Sequence, residues 1–249
     1  MANVVAEGAV IPQQIEPGLL RWRAPHPDWK PDAVPASAED WEQEVGCVLF
    51  EAPDSVVLFD PLLPVEGREL FLAWLDQRVD RRPVSILTTI RWHRRNRAIL
   101  AERYRPNSSR AWNAIPPGVE QRPLRGAGET LFWLPAAQTL IAGDRLIGAP
   151  GGALALCPES WLSGVRVDRA GLAALLRPLV TLPIRHVLPS HGEPALSSGR
   201  AALRAAVEEV AGPHDARPPH DAGGQHDASG ARPARRGLLG RRRRPPRPE

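Results

Sequence analysis

The sequence predicts an α+β fold in which layered sheets are covered by helices. Short apolar, β-rich runs occur as two hairpins, one early and one in the middle of the chain, and segments with helical spacing follow other strands. This mixture is typical of layered sheets and differs from the regular alternation of a doubly wound sheet. No apolar run approaches the length of a membrane span, so a transmembrane helix is not expected.

The first half of the chain contains a strand, a hairpin and a β-α unit. A short strand over 19–23 leads into a Pro-rich loop, because each proline fixes φ and restricts the residue before it. The runs 46–51 and 55–60 flank a Pro-Asp turn signal, which predicts an antiparallel hairpin. The other elements predicted here are helices over 66–79 and 94–104 and a buried strand over 84–89.

The second half begins with another hairpin and ends in β-α order. Two apolar runs, 130–134 and 139–142, are joined by Pro-Ala-Ala-Gln and form the hairpin. A helix over 168–179 places its leucines on one face, and Asp168 can cap its first turn. The remaining predictions are short strands over 110–112 and 184–188 and a final Ala-rich helix over 196–210.

The positive charge of the chain belongs to its C-terminal part. The formal net charge is +4. Residues 213–249 hold nine arginines and four acidic residues, a net of +5, so residues 1–212 carry −1. The tail is rich in Pro, Gly and Arg and holds few large apolar residues, which predicts a single domain over 1–212 and a disordered tail over 213–249. A nearly neutral domain gives little support to a broad nucleic-acid-binding face.

Cysteine usage and the N-terminus favour a cytoplasmic protein. Cys47 and Cys157 lack metal-binding or redox spacing and are too few for a disulfide framework, so we expect two buried or partly buried thiols. The first residues lack the basic and apolar regions of a secretory signal. We therefore expect a cytoplasmic location and no membrane partner.

Four polar residues follow predicted strands, where loops commonly build functional sites. They are Asp60, His93, Asp144 and His191. One aspartate and two histidines, His93, Asp144 and His191, could bind zinc with one position left open for water. Asp60 is expected to be structural instead, with its carboxylate holding the neighbouring loop through backbone N–H groups.

The order of four strand-end motifs resembles the metallo-β-lactamase-fold hydrolases over residues 44–210. The motifs are Val-Leu-Phe-Asp-Pro, Ile-Leu-Thr-Thr, Leu-Ile-Ala-Gly-Asp and Leu-Pro-Ser-His-Gly. The resemblance implies a four-layer αββα sandwich with a metal site at one edge of the two sheets. Asp144 would match the metal-bridging aspartate of the family, and His191 would match its last histidine ligand.

The central H-x-H-x-D-H motif of that family is degraded in this chain. When it is aligned on the Trp-His-Arg segment, Arg91, Arg95 and Asn96 stand at ligand positions and only His93 fits. The further histidine of a G-H-T element is also missing. A two-metal site cannot be assembled from these residues, and the fixed cations Arg91 and Arg95 would repel a metal beside His93.

Three functional hypotheses remain open from the sequence. In the first, His93, Asp144 and His191 hold one zinc ion, with Glu129 as a substitute ligand or base and Asp144 as a catalytic group. Metal-activated water would then hydrolyse an ester, thioester or amide-like bond of a small-molecule substrate.

In the second hypothesis, the fold persists without metal and is catalytically inactive. Arg91, Arg94 and Arg95, with Trp92 beside them, would bind an anionic small molecule such as a carboxylate or phosphate. The alternative for these arginines is a solvated helix start. In the third, the domain is a scaffold and the tail interacts; the run 241–244 could contact nucleic acid weakly and with salt-sensitive affinity.

Overall fold

Alternating apolar residues build two main sheets in the computed structural model, which describes residues 10–105 and 113–211. The larger sheet has the order β1 (Gln13–Glu16), β2 (Leu19–Pro25), β3 (Glu44–Ala52), β4 (Ser55–Phe59) and β5 (Val84–Leu87). The smaller sheet contains β6 (Glu120–Leu124), β7 (Glu129–Leu134), β8 (Thr139–Ala142) and β11 (His186–Pro189), in the order β11-β8-β7-β6. A separate hairpin consists of β9 (Leu146–Ala149) and β10 (Ala153–Leu156).

Helices cover the outer faces of both sheets. The helices are α1 (Arg68–Val79), α2 (Arg97–Arg103), α3 (Arg169–Leu176) and α4 (Gly199–Ala211), with short 3-10 turns at 150–152, 159–162 and 177–181. Within the described ranges, none of the helices is long and apolar enough to cross a bilayer.

Three apolar clusters show that the molecule has four layers. Strand residues alternate between faces, so Val57 enters a central cluster between the sheets while Leu58 packs with Leu75 of α1 on the outside. The central cluster joins residues of both sheets, including Phe59 and Phe132, whose ring centroids are 5.2 Å apart. A third cluster packs β7 and β8 against α3 and α4. The predicted αββα sandwich is confirmed.

Most of the predicted helices and strands are present in the structure. The strands that were not predicted lack a clear apolar pattern. Both hairpins are antiparallel as expected. The helix predicted over 94–104 begins only at Arg97, because residues 91–96 form turns. β1 has only one apolar residue, and β6 carries a proline and three polar residues. β9 and β10 are four residues long, and half of their residues are Ala or Gly. The predicted strand over 110–112 and the tail over 213–249 lie outside the described residues. Both cysteines are free and buried, as expected.

We expect Asp168→Ala to lower the free energy of unfolding by about 1 kcal/mol, the usual cost of losing an N-cap. The Asp168 carboxylate accepts a hydrogen bond from the backbone N–H of Gly171 at 2.7 Å and closes the first turn of α3. Urea denaturation measures the change. Asp168→Asn keeps a capping oxygen and serves as the control, so an equal loss in both variants would contradict the capping role.

Candidate metal centre

The carboxyl ends of four strands meet at one edge of the sandwich. β4 and β5 are parallel neighbours, as are β8 and β11, so the loops after each pair leave on the same side. Asp60 follows β4, His93 lies in the turns after β5, Asp144 follows β8, and His191 follows β11. All four side chains are buried. The strand-end residues named from the sequence therefore converge in one place.

His93, Asp144 and His191 form a compact cluster of possible metal ligands. One ligand atom from each residue can be chosen so that all lie within 4.8 Å of one another. The His93 Nε2 atom is 3.0 Å from Asp144 Oδ1, and the His191 Nε2 atom is 3.5 Å from the same oxygen. Ligands about 2.1 Å from a tetrahedral zinc ion stand roughly 3.4 Å apart, so these separations fit one ion.

Two atoms of the cluster also lack hydrogen-bond partners. Asp144 Oδ1 and His191 Nδ1 are buried, and neither has a properly directed hydrogen bond within the described part of the chain. Asp144 Oδ1 is close to both imidazoles without meeting hydrogen-bond geometry. Buried polar atoms are nearly always satisfied, so Asp144 Oδ1, which faces the Nε2 atoms of both histidines, marks a place where a cation would supply the missing interaction. The donor set fits a divalent ion such as zinc.

Asp60 orients His93 from behind. The His93 Nδ1 atom is 3.0 Å from Asp60 Oδ2, and this contact turns Nε2 toward Asp144. The other oxygen of Asp60 accepts the backbone N–H of Thr89 at 2.8 Å, as the structural role expected from the sequence requires. Asp60 itself has a φ of 47°, in the left-handed region that non-glycine residues seldom adopt. A carboxylate behind a ligating histidine fixes its tautomer and orientation.

The cluster is strongly coupled electrostatically. Burial alone would lower the pKa of His93, but the charges of Asp144 and Asp60 raise it to about 9 against the opposing charge of Arg95. Burial would raise the pKa of Asp144, yet His93 and His191 hold it well below its usual range. In the absence of a metal, a protonated His93 between two carboxylates is therefore a stable arrangement. A metal ion would have to displace that proton.

Glu129 faces the loop that carries Asp144 and is not part of the ligand cluster. Its two oxygens accept three backbone N–H groups, from Gly143 at 2.7 Å and from Asp144 and Arg145 at 2.8 Å each. Burial and the charge of Asp144 raise the pKa of Glu129 to about 7, while the backbone N–H groups oppose the rise. With both oxygens occupied, the geometry favours Glu129 as a support of the loop rather than as a ligand or base.

Arg91, Arg95 and Asn96, which the sequence alignment places at ligand positions of the family motif, have other partners. Arg95 Nη1 donates to the carbonyl oxygens of Gly46 at 3.1 Å and Asp60 at 2.8 Å. The Asn96 amide oxygen accepts the N–H of Leu63 at 2.7 Å. Arg91 is exposed, with its guanidinium 5.6 Å from the centroid of the Trp92 ring. Arg95 and Asn96 thus tie residues 91–96 to the loops around them.

Trp92 contacts the cluster directly. Its indole N–H donates to Asp144 Oδ2 at 2.7 Å, although half of the residue is exposed, at 50%. The sequence placed this tryptophan at the pocket because of its position beside His93. The contact fixes the rotation of the Asp144 carboxylate and leaves Oδ1 facing the two histidines.

A cavity of about 380 Å³ opens over the cluster. Its lining residues include Trp92, Arg95 and the three clustered residues, with His26, Trp41, Arg145 and Trp161 from other segments. Trp41 and Trp161 stand edge-on to His191, with centroid distances of 5.6 and 5.3 Å. The lining residues Arg145, Trp41 and Trp161 were not anticipated from the sequence as parts of the site. A volume of this size suits a small molecule.

The loop between β2 and β3 is fastened over this cavity. The Trp161 indole N–H donates to the carbonyl of Ser37 at 3.1 Å, and the Ser160 hydroxyl donates to the carbonyl of Ala36 at 2.7 Å. The Trp29 indole N–H donates to the carbonyl of Trp41 at 2.8 Å. These bonds hold an aromatic wall on the solvent side of His191.

Similarity to proteins of known structure is confined to the fold. No family model and no curated protein sequence matches the chain. The structure of VMB-1 aligns with a TM-score of 0.55 at 11% identity and covers 83% of this chain and 100% of that chain. A metallo-β-lactamase from Erythrobacter litoralis aligns with a TM-score of 0.54 at 16% identity, covering 82% and 92%.

A third solved structure has the same degree of similarity. It is the NDM_FIM-1 like metallo-β-lactamase from Erythrobacter litoralis in its mono-zinc form, with a TM-score of 0.54, 14% identity, and coverage of 82% of this chain and 97% of that chain. Identities this low establish shared architecture and leave activity open. The chain has the fold of the metallo-β-lactamases.

Proposed function

We propose that this protein is a metal-dependent hydrolase with a single-ion site formed by His93, Asp144 and His191. The observation that carries the proposal is the convergence of three ligand atoms within 4.8 Å, one of which, Asp144 Oδ1, is buried without a directed hydrogen bond. A zinc ion, when bound, would supply Lewis acidity that activates water and polarises a carbonyl group. The reaction class is hydrolysis of an ester, thioester or amide-like bond in a small molecule.

The residues of the chain divide the work around such a site. Asp60 holds His93 so that Nε2 faces the cluster, and Trp92 fixes the Asp144 carboxylate through its indole N–H. Glu129 stabilises the loop that carries Asp144. His93, Asp144 and His191 would hold the ion beside the cavity, and a site with three protein ligands would leave a position for water or substrate, as in catalytic zinc sites. The mono-zinc form of the similar Erythrobacter litoralis protein supports the view that this fold accommodates one ion.

A metal-free binding protein is the second candidate. It is favoured by the ion pairs of His93 with Asp60 and Asp144, which satisfy much of the cluster without a cation. Arg95 adds positive charge at a position where the resemblance would have placed a metal-binding aspartate. In this case the cavity would bind an anionic small molecule and no bond would be cleaved.

We expect the purified full chain to bind one zinc ion and His191→Ala to weaken that binding by at least about 100-fold, because one of three ligands is lost. Calorimetric titration of the chelator-treated protein and metal analysis after dialysis provide the measurements. Hydrolysis of a panel of ester and thioester substrates, with and without zinc, tests activity.

His186→Gln is the matched control for this experiment. His186 is also a buried histidine, but it contacts Glu16 and Ser197 at the start of β11, away from the cluster. Its replacement should leave zinc stoichiometry at one. A wild-type protein that takes up no zinc would exclude the hydrolase and favour the metal-free candidate. Equal zinc affinity in wild type and His191→Ala would exclude the proposed ligand set.

A further inference from the structure

The guanidinium of Arg145 is buried in the cavity wall with an unused donor. Arg145 is only 1% exposed. Its Nε–H donates to the carbonyl of Ala127 at 2.9 Å, and its Nη1 donates to the carbonyl of Trp161 at 2.6 Å. Nη2 is buried and has no hydrogen-bond partner within the described residues. Two of the three nitrogens therefore anchor the side chain. The third makes no directed hydrogen bond within the described residues, although the Cys157 thiol lies near the guanidinium.

The positive charge of Arg145 also lacks a counter-ion in contact with it. Within the described part of the chain, the ion pairs around the cavity join His93 with Asp60 and Asp144 and His191 with Asp144, and none includes Arg145. Glu129 is close in space and its charge interacts with that of Arg145, but its oxygens accept backbone N–H groups and form no ion pair with the guanidinium. Burying a cation without a paired anion is costly, so an anionic ligand here would relieve a penalty already present in the fold.

The position of Arg145 places such an anion beside the metal centre. Arg145 directly follows Asp144, and both contact Trp92: the indole N–H bonds to Asp144, while the guanidinium carbon of Arg145 is 5.7 Å from the ring centroid. The cavity that Arg145 lines also contains Trp41 and Trp161. An apolar body can pack on these rings while its charged group reaches the guanidinium.

We propose that Arg145 is a specificity-determining residue that binds the carboxylate of a small amphipathic acid, whose apolar body lies against Trp41 and Trp161. A carboxylate matches the single charge and planar donors of a guanidinium. Arg95, which also lines the cavity and has unpartnered Nε and Nη2 atoms, adds to the positive potential. Carboxylate binding is independent of the proposed hydrolysis, whereas the inference that this acid is the substrate rests on the proposed function.

The test compares two probes on chelator-treated and zinc-loaded full-length protein. The probes are 3-phenylpropionate and its uncharged amide, 3-phenylpropanamide, and calorimetry gives their dissociation constants. We expect the wild-type protein to prefer the carboxylate by about tenfold or more in both forms, as a charge-assisted hydrogen bond provides. Arg145→Gln should remove this preference. Equal affinity for the two probes in wild type would overturn the proposal.

Arg91→Gln is the matched control. It removes the same charge from the other arginine that lies over Trp92, at 5.6 Å, but Arg91 is exposed and does not line the cavity. Arg91→Gln should keep the preference for the carboxylate. If Arg91→Gln and Arg145→Gln lost this preference equally, general electrostatic attraction would explain it and the specific role of Arg145 would be refuted. A preference that appears only with zinc and survives Arg145→Gln would assign the carboxylate to the metal instead.

Two further measurements cover the case in which Arg145→Gln fails to fold. Arg145→Lys keeps the positive charge but loses the planar set of guanidinium N–H donors. This variant should therefore retain a weaker preference for the carboxylate over the amide. A structure of the wild-type protein with bound 3-phenylpropionate needs no variant, and it should place the carboxylate within hydrogen-bond distance of Arg145. A carboxylate found elsewhere would refute the proposal. Failure of zinc binding alone would leave carboxylate binding intact, so the two ideas fail separately.

Discussion

Gly148→Ala should disable the proposed metal centre without changing any of its three proposed ligands. A Cβ atom on Gly148 would lie 1.9 Å from the carbonyl oxygen of Glu193 and 2.5 Å from its nitrogen, distances that no real Cβ contact shows. Both atoms belong to backbone, so no side chain can rotate to make room. The loop that follows β11 would have to move away from β9.

His191 lies in that same loop. The N–H of Gly148 donates to the carbonyl of His191 at 2.8 Å, so the strand and the ligand are joined by a hydrogen bond that the displacement would break. Overpacking of this kind costs about 3 kcal/mol in stability. A displacement of His191 that is smaller than a zinc–nitrogen bond should reduce zinc affinity roughly 10–100-fold. Changes of the same size are seen when residues that support metal ligands are replaced. Chelator competition and urea denaturation measure the two quantities.

Gly151→Ala is the control that separates the loss of stability from the loss of zinc affinity. Gly151 lies in the turn of the same hairpin, where an added Cβ meets nothing within 4 Å, but its φ of 72° disfavours alanine. This variant should lose roughly 1 kcal/mol of stability and keep its zinc affinity. Wild-type zinc affinity in Gly148→Ala would show that the loop after β11 does not position His191.

The convergence of the site was predictable because it depends on strand direction. Asp60, Asp144 and His191 lie one or two residues beyond the ends of apolar strands. Within each sheet, the parallel pairs β4–β5 and β8–β11 deliver the residues after them to a common edge. This rule needs only the strand boundaries, which strong apolar patterns define well. The family motif H-x-H-x-D-H can be aligned with residues 91–96 because this segment follows the well-defined strand β5. In that alignment, His93 is the one residue expected to be a ligand.

The walls of the cavity could not be predicted, because they depend on contacts between distant segments. Trp161 is held by the carbonyl of Ser37, 124 positions earlier in the chain, and no local pattern announces that contact. Arg145 looked like one of many arginines in an arginine-rich sequence. Its burial follows from hydrogen bonds to Ala127 and Trp161, which exist only after β7, β8 and the 3-10 turn at 159–162 have packed.

Glu129 illustrates a different limit of sequence reasoning. Its position near a missing histidine suggested a substitute ligand, since a carboxylate can serve as one. The structure gives it three backbone donors from consecutive residues of the loop after β8, a role that depends on the local turn and not on residue type. The same residue type thus has two possible uses, and only the direction of the backbone N–H groups decides between them.

Glu129→Ala should be among the most destabilising substitutions in the chain. It would leave the N–H groups of Gly143, Asp144 and Arg145 without their acceptor in a buried environment. Hydrogen bonds to a charged group contribute roughly 1.5–3 kcal/mol, and an unsatisfied buried donor costs roughly 1–3 kcal/mol. Because backbone relaxation and water recover part of this, we expect a net loss of about 4 kcal/mol, a large share of the stability of a typical domain.

Glu120→Ala and Glu129→Gln are the controls that assign this loss of stability to the hydrogen bonds between the Glu129 carboxylate and the three backbone N–H groups. Glu120 is in the same sheet but is exposed and paired with Arg122 at the surface, so its replacement should change stability by less than about 0.5 kcal/mol. Glu129→Gln keeps one acceptor oxygen and turns an amide donor toward the N–H groups, so its stability should lie between wild type and the alanine variant. Urea denaturation at about pH 8.5, where the Glu129 carboxylate is ionised despite its raised pKa, measures all three. A loss below about 1 kcal/mol for Glu129→Ala would mean that the loop carrying Asp144 is held by something other than this carboxylate.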